Sequence, residues 1–165
     1  MPISDEYRIS MWREVLELSR VKAGENVVVL TSEATNPQNL EAAYRAALQT
    51  KAHVFRLDLP PTAPQGPVAG DRTNVQTTPL TGQRLATEVL KQADFVIDLM
   101  GLLHSPEQTD ILAAKTRMLM AIEPPEMLAR MMPTQNDKNR VMAADAKLRN
   151  AKCPTSTPMR PNCIN

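Results

Sequence analysis

His104 is the side chain of this sequence that best combines a reactive group with a suitable position. It lies in the stretch Asp98–Gln108, after an apolar run typical of a buried strand and before a new helical pattern. In open α/β folds, loops at the carboxyl ends of strands are where ligands bind. A histidine there could transfer a proton to or from a phenolic oxygen, because imidazoles titrate near neutral pH. An ordinary loop histidine that bonds to the backbone remains the alternative interpretation.

The residues around His104 are suited to a tight loop followed by a helix. Gly101 can adopt backbone angles that are closed to other residues. Ser105 is a good N-cap, Pro106 suits the first helical turn, and the negative charge of Glu107 favours the positive end of the helix dipole. The spacing therefore predicts that a helix begins directly after His104 and holds it at the helix entrance.

The types and spacing of potential ligands argue against a metal or nucleotide site. A facial iron site needs two histidines and one carboxylate, but the sequence has only His53 and His104, which we place at different ends of a sheet. Cys153 and Cys163 match no zinc spacing, and we interpret them as free thiols. No glycine-rich phosphate-binding motif is present. We therefore expect no metal site within this chain and no nucleotide cofactor.

Composition excludes several further classes of function. The net charge is +1, from 19 basic and 18 acidic residues, which gives no electrostatic reason to expect nucleic acid or an anionic membrane as partner. No apolar stretch is long enough to cross a bilayer. The first residues lack the basic and apolar regions of a signal peptide, so we expect a cytoplasmic location.

Alternating strand and helix patterns predict the fold class. Ser4 caps a first helix that we extend to Gly24, and Asn36 with Pro37 begins a second helix. The remaining segments follow in order: strands at 26–30, 53–59, 95–99 and 117–122, and helices at 80–93, after Ser105, at 127–132, and from a Thr134–Asp137 capping box to about Lys152. This order predicts an α/β, Rossmann-like, open and mainly parallel sheet of about four strands flanked by helices.

Two segments depart from this regular pattern. The connection at 60–79 is rich in proline and far longer than usual, so we interpret it as a functional cover or a poorly ordered loop. Residues 153–165 have no periodicity, and we predict a disordered tail there. The predicted organisation is one α/β domain at 1–152 followed by an irregular tail at 153–165.

Several consecutive motifs resemble a known enzyme family. They are Leu16–Val21, Leu102–Gln108, Glu123–Met131, Pro133-Thr134 and Asp137-Lys138. Over residues 1 to about 151 the chain resembles the N-terminal part of the 2,5-dihydroxypyridine 5,6-dioxygenases. The resemblance implies an Fe(II)-dependent, extradiol-type oxidoreductase that converts 2,5-dihydroxypyridine and O2 to N-formylmaleamate in nicotinate and nicotine degradation.

The resemblance also implies roles for individual residues. His104 would transfer protons and contact the substrate, and Leu103 would pack on the aromatic ring. The family's Fe(II) ligands come from a C-terminal domain that we do not find here, so we expect no bound iron and little turnover by this chain. We hypothesise that a frameshift or premature end near Cys153 has produced a truncated enzyme. The expected partners are a small aromatic substrate, O2 and further copies of the chain in a homo-oligomer.

A non-catalytic, Rossmann-like module for binding or self-assembly is the competing interpretation. Met127, Met131 and Met132 would then form an adaptable core or a surface between subunits. Iron content separates the two interpretations, because stoichiometric iron in the purified chain favours an enzyme.

Overall fold

The computed structural model describes residues 3–60 and 78–150, and the chain divides into two compact units, residues 1–132 and 133–165. The predicted tail at 153–165, with both cysteines, and most of the 60–79 connection lie outside the described residues. The elements of the first unit are α1 (Asp5–Leu18), β1 (Asn26–Ser32), α2 (Pro37–Gln49), β2 (His53–Leu59), α3 (Arg84–Lys91), β3 (Phe95–Asp98), α4 (Pro106–Ala113), β4 (Arg117–Met120) and α5 (Pro125–Met131). The second unit contains α6 (Gln135–Asn150).

The four described strands form one parallel sheet in the order β2-β1-β3-β4. Asn26 of β1 is in register with His53 of β2, and Val27 of β1 with Phe95 of β3. The central strands β1 and β3 are almost entirely buried, whereas β2, the outermost strand on one side of the sheet, is more exposed. The predicted open α/β fold with about four parallel strands is therefore confirmed.

Apolar side chains are packed on both faces of the sheet. Successive residues of a strand point to opposite faces, so Val27 and Val29 pack with Trp12 and α2, while Val28 and Leu30 pack with α3 and α4. Each fully buried valine or leucine contributes roughly 1.5–3 kcal/mol relative to an exposed one. The short apolar run of β1 thus joins two cores, as its sequence predicts.

Three helices begin where their capping residues predict. The side-chain oxygen of Ser4 accepts a hydrogen bond from the Tyr7 N–H, and that of Asn36 accepts from the first turn of α2. Ser105 caps α4 in the same way, with Pro106 in the first helical turn. These bonds satisfy backbone donors that have no partner within a helix.

The capping box predicted at the start of α6 is also present. The Thr134 N–H donates to the Asp137 carboxylate at 3.0 Å, and the Asp137 N–H donates to the Thr134 hydroxyl oxygen at 3.4 Å. The bond from the Thr134 N–H, followed by the bond from its hydroxyl, lowers the pKa of Asp137 below the usual value for an aspartate.

Two helices are shorter than their sequence patterns predict. The first ends at Leu18 instead of reaching Gly24, because Arg20 adopts a left-handed conformation with φ 59° that cannot continue the helix. The third begins at Arg84 instead of Leu80, because Leu80 is buried in a turn that Gly82 completes at φ 79°. Across the described ranges, no helix combines the length and the apolar character that a bilayer crossing requires.

Candidate functional site

The candidate site lies at the carboxyl edge of the sheet, where the strand order reverses. The chain passes from β1 to β2 on one side, then returns to place β3 on the other side of β1. The loops after the adjacent strands β1 and β3 therefore lead to opposite faces of the sheet, with α2 on one face and α4 on the other. Such a switch point is a preferred position for ligands in open α/β sheets. His104 follows β3 at this edge, whereas His53 begins β2 at the opposite edge, as expected.

Asp98, the last residue of β3, organises the loop that carries His104. Its carboxylate is fully buried and accepts hydrogen bonds from the backbone N–H groups of Met100, Gly101 and Leu102 at 3.0, 2.9 and 2.7 Å. Burying a carboxylate is costly unless hydrogen bonds replace its hydration, and bonds to an ionised acceptor are stronger than neutral ones. The three N–H donors therefore replace the hydration of the carboxylate and hold the turn of the chain in place.

The same loop presents an apolar and an ionisable side chain next to each other. Leu102 is fully buried and anchors the loop in the core, whereas Leu103 is 44% exposed and His104 is exposed. His104 has a φ of 61°, in the left-handed region that residues with a β-carbon seldom occupy. The two residues predicted to contact substrate are thus accessible on a loop with a constrained backbone.

The helix that follows the loop holds His104 from the other side. Gln108 donates its N–H to the Ser105 hydroxyl at 3.0 Å, and its side-chain oxygen accepts a hydrogen bond from the His104 N–H at 2.8 Å. Ser105 is fully buried, and its own N–H donates to the Leu102 carbonyl at 3.0 Å. The loop is therefore bonded at both ends, by Asp98 from the strand and by the first turn of α4.

A cavity of about 260 Å³ lies at the switch point, beside the His104 loop. It is lined by residues of the loops after β1, β3 and β4 and by the first turn of α2: Ser32, Ala34, Thr35, Asn36, Asn39, Leu99, Met100, Ala121, Ile122 and Pro124. Asn39 is 2% exposed and donates its side-chain N–H to the Glu123 carbonyl at 2.8 Å, which joins α2 to the loop after β4. Leu103 and His104 do not line this cavity, so the predicted contact residues and the cavity are separate features of one edge.

Two charged residues of β2, Arg56 and Asp58, already have partners. The Thr31 hydroxyl donates to the Asp58 carboxylate, and Arg56 forms an ion pair with the same carboxylate at 2.8 Å. The Thr31 bond, and then Arg56, hold the pKa of Asp58 below its ordinary value although partial burial raises it. This pairing makes Asp58 an ionised structural group and a poor proton donor.

The described residues do not fit an iron site. Within 3–60 and 78–150 no group of three histidine, cysteine, aspartate or glutamate side chains is arranged to hold a metal ion. His53 and His104, which would have to share a facial site, lie at opposite edges of the sheet. The described residues therefore contain no complete set of iron ligands.

Comparison with known proteins identifies relatives of this chain. A protein-family model described as 2,5-dihydroxypyridine 5,6-dioxygenase matches residues 8–157. The 2,5-dihydroxypyridine 5,6-dioxygenase of Pseudomonas putida is 44% identical over 153 residues, which are 92% of this chain and 44% of that protein. This chain belongs to the 2,5-dihydroxypyridine 5,6-dioxygenase family.

The solved structure of the 2,5-dihydroxypyridine dioxygenase from P. putida shares the fold of this family member. It superposes with a TM-score of 0.74 at 44% identity, covering 91% of this chain and 44% of that one. The resemblance predicted from the motifs is thus confirmed, and with it membership of a family of dioxygenases, which are oxidoreductases. The chain spans less than half the length of these relatives.

For this dioxygenase-family chain, sequence reasoning singled out the accessible residues but missed those that hold them. Asp98 carries no recognisable motif, because its three partners are backbone groups that converge only once the loop is folded. Gln108 could have been found, since Ser105 with Gln108 three residues later is a capping-box pattern. Asn39 gives no sequence signal, because its partner at Glu123 is 84 positions away.

Proposed function

We propose that this chain is the N-terminal part of an Fe(II)-dependent dioxygenase that opens the ring of 2,5-dihydroxypyridine with O2 to give N-formylmaleamate in nicotinate and nicotine degradation. Its contribution is a substrate-contacting loop, and the iron ligands lie outside this chain. The observation that carries the proposal is the accessible pair Leu103 and His104 on a loop held by Asp98 and Gln108. The family relationship supports a small-molecule substrate and O2 as its partners.

Each of the two side chains has a role that follows from its chemistry. His104 exchanges a proton with a hydroxyl group of the substrate, because an imidazole can both accept and donate a proton near neutral pH. Leu103, which is 44% exposed, packs its apolar surface on the ring and orients the hydroxyl toward His104. Fe(II) supplies the oxygen chemistry in the complete enzyme, and we assign no step at iron to the residues of this chain.

A non-catalytic module for binding or self-assembly is the second candidate. It is favoured by large apolar side chains that are exposed in the first unit, such as Phe55 at 55% and Leu85 at 81%. Both candidates include a cytoplasmic homo-oligomer, and sedimentation of the chain at several concentrations tests the assembly. Because the first candidate places the iron ligands outside this chain, neither candidate expects stoichiometric iron, and saturable binding of 2,5-dihydroxypyridine at His104 separates the two.

The two histidines of the chain provide a direct test of the proposed site. We expect an anaerobic titration with 2,5-dihydroxypyridine to shift the imidazole NMR signals of His104 saturably while those of His53 remain unchanged, because His53 lies at the other edge of the sheet. Pyridine, which lacks both hydroxyl groups, is the matched control ligand. Equal shifts at both histidines, or no shift at His104, would contradict the proposal.

A further inference from the structure

The side chain of Gln108 bonds to the residue on which the proposed function depends. Its oxygen accepts the His104 N–H at 2.8 Å, and His104 is held at a φ of 61°. A residue with a β-carbon seldom adopts this left-handed conformation, and the conformation persists where surrounding bonds hold it. We propose that Gln108 is a positioning residue that sets the orientation of the His104 imidazole toward the substrate, an inference that rests on the proposed function.

The hydrogen bonds at the start of α4 explain why Gln108 reaches His104. In an ordinary capping box the side chain at the third helical position bonds to the N–H of the capping residue itself. Here that N–H, on Ser105, already donates to the Leu102 carbonyl at 3.0 Å. The Gln108 oxygen therefore accepts from the preceding residue, so the capping interaction acts on His104.

The rest of the loop is held without Gln108. Asp98 bonds three N–H groups that all precede His104, and Leu102 and Ser105 are fully buried. Loss of the Gln108 acceptor would therefore release the φ angle of His104 while the loop on either side stays in place. Rotation about that angle changes the direction of the Cα–Cβ bond and so moves the imidazole away from its contact position.

The effect on the backbone can be measured at His104 itself. We expect Gln108→Met, which keeps the length of the side chain and removes its oxygen, to speed hydrogen exchange of the His104 amide by at least about tenfold and to change its three-bond HN–Hα coupling. Gln108→Glu keeps an acceptor and should stay within about threefold of the wild type. Gln38→Met is the matched control, because Gln38 is exposed in the first turn of α2, another helix that begins with proline.

The same variants test whether positioning matters for the ligand. In the anaerobic titration followed at His104, Gln108→Met should bind 2,5-dihydroxypyridine about tenfold more weakly, Gln108→Glu should restore binding, and Gln38→Met should have no effect. Should Gln108→Met fail to fold, Gln108→Asn serves instead, because its amide is one methylene too short to reach His104.

The outcomes distinguish this inference from the proposed function. If the wild-type His104 responds to the ligand and Gln108→Met binds equally well, Gln108 is not a positioning residue and the proposed function stands. If wild-type His104 does not respond, the proposed function fails and this inference fails with it. Weaker binding by Gln108→Met together with an unchanged His104 coupling and amide exchange would also overturn the inference, because the effect would not pass through His104.

Discussion

At the scale of single residues, Asp98 and Gln108 hold different parts of one short loop. Asp98 bonds the part before His104 and Gln108 bonds His104 itself. The Asp98 carboxylate uses both of its oxygens as acceptors, one for two N–H groups and the other for the Leu102 N–H. Because each carboxylate oxygen has two acceptor lone pairs, the two oxygens satisfy all three donors at once.

Asp98→Asn should therefore destabilise the chain although it changes few atoms. Its amide has one acceptor oxygen, so at least one buried N–H would face the NH2 group, at a cost of about 2 kcal/mol. Urea unfolding followed by circular dichroism measures the free energy of unfolding of each variant. Asp110→Asn is the control, because Asp110 is exposed on the neighbouring helix and its change should stay within about 0.5 kcal/mol. An unaltered midpoint for Asp98→Asn would show that the carboxylate does not hold the loop.

The residues that cap helices could be predicted from sequence, whereas Asp98 could not. Ser4, Asn36 and Ser105 act on backbone groups two or three positions away, so local spacing reveals them. A buried aspartate at a strand end has no such signature, because its partners depend on the path of the loop. For the site, the sequence therefore indicated the accessible His104 and left its supports unidentified.

At the scale of elements, the turn between β3 and α4 depends on the backbone of Gly101. Its φ of 85° is closed to most residues, and an added β-carbon would lie 3.5 Å from the Ile122 side chain, which is ordinary contact. Steric space is thus available, and the cost of a side chain is the strained backbone.

Gly101→Ala should lower the free energy of unfolding by about 1 kcal/mol. Gly82→Ala is the matched control, because Gly82 has a φ of 79° with no atom within 4 Å of an added β-carbon. Both variants should lose similar stability in urea, but only Gly101→Ala should alter the amide signals of Leu103 and His104. Altered signals in both, or in neither, would show that the Gly101 turn does not control this loop.

The elements themselves were predicted unequally well. The segment of β2 matches its prediction, and β1 needs only two more residues, because short apolar runs bounded by turns have few alternatives. The predicted first and third helices are longer than α1 and α3, because the apolar residues that follow α1 and those that precede α3 pack in turns. Helical periodicity cannot distinguish a buried turn residue such as Leu80 from a residue in the helix.

At the scale of the whole molecule, the chain carries the His104 loop, and its described residues contain no group arranged to hold a metal ion. The chain spans less than half the length of its relatives. We expect no O2 uptake above the rate of Fe(II) alone when the chain is mixed with Fe(II) and 2,5-dihydroxypyridine. An oxygen electrode measures the rate, and iron analysis after desalting measures binding. The chain with His104→Ala is the control, and robust uptake that is lost in this variant would show that the chain completes an iron site itself.

The position of β1 between β2 and β3 has a consequence for how the chain is made. The partner of one edge of β1, β2, is the next strand of the chain, whereas the partner of the other edge, β3, follows roughly 60 residues later. At a ribosomal rate of about 5–20 residues per second, that edge stays unpaired for several seconds. The His104 loop follows β3, so it becomes organised only after this interval has ended.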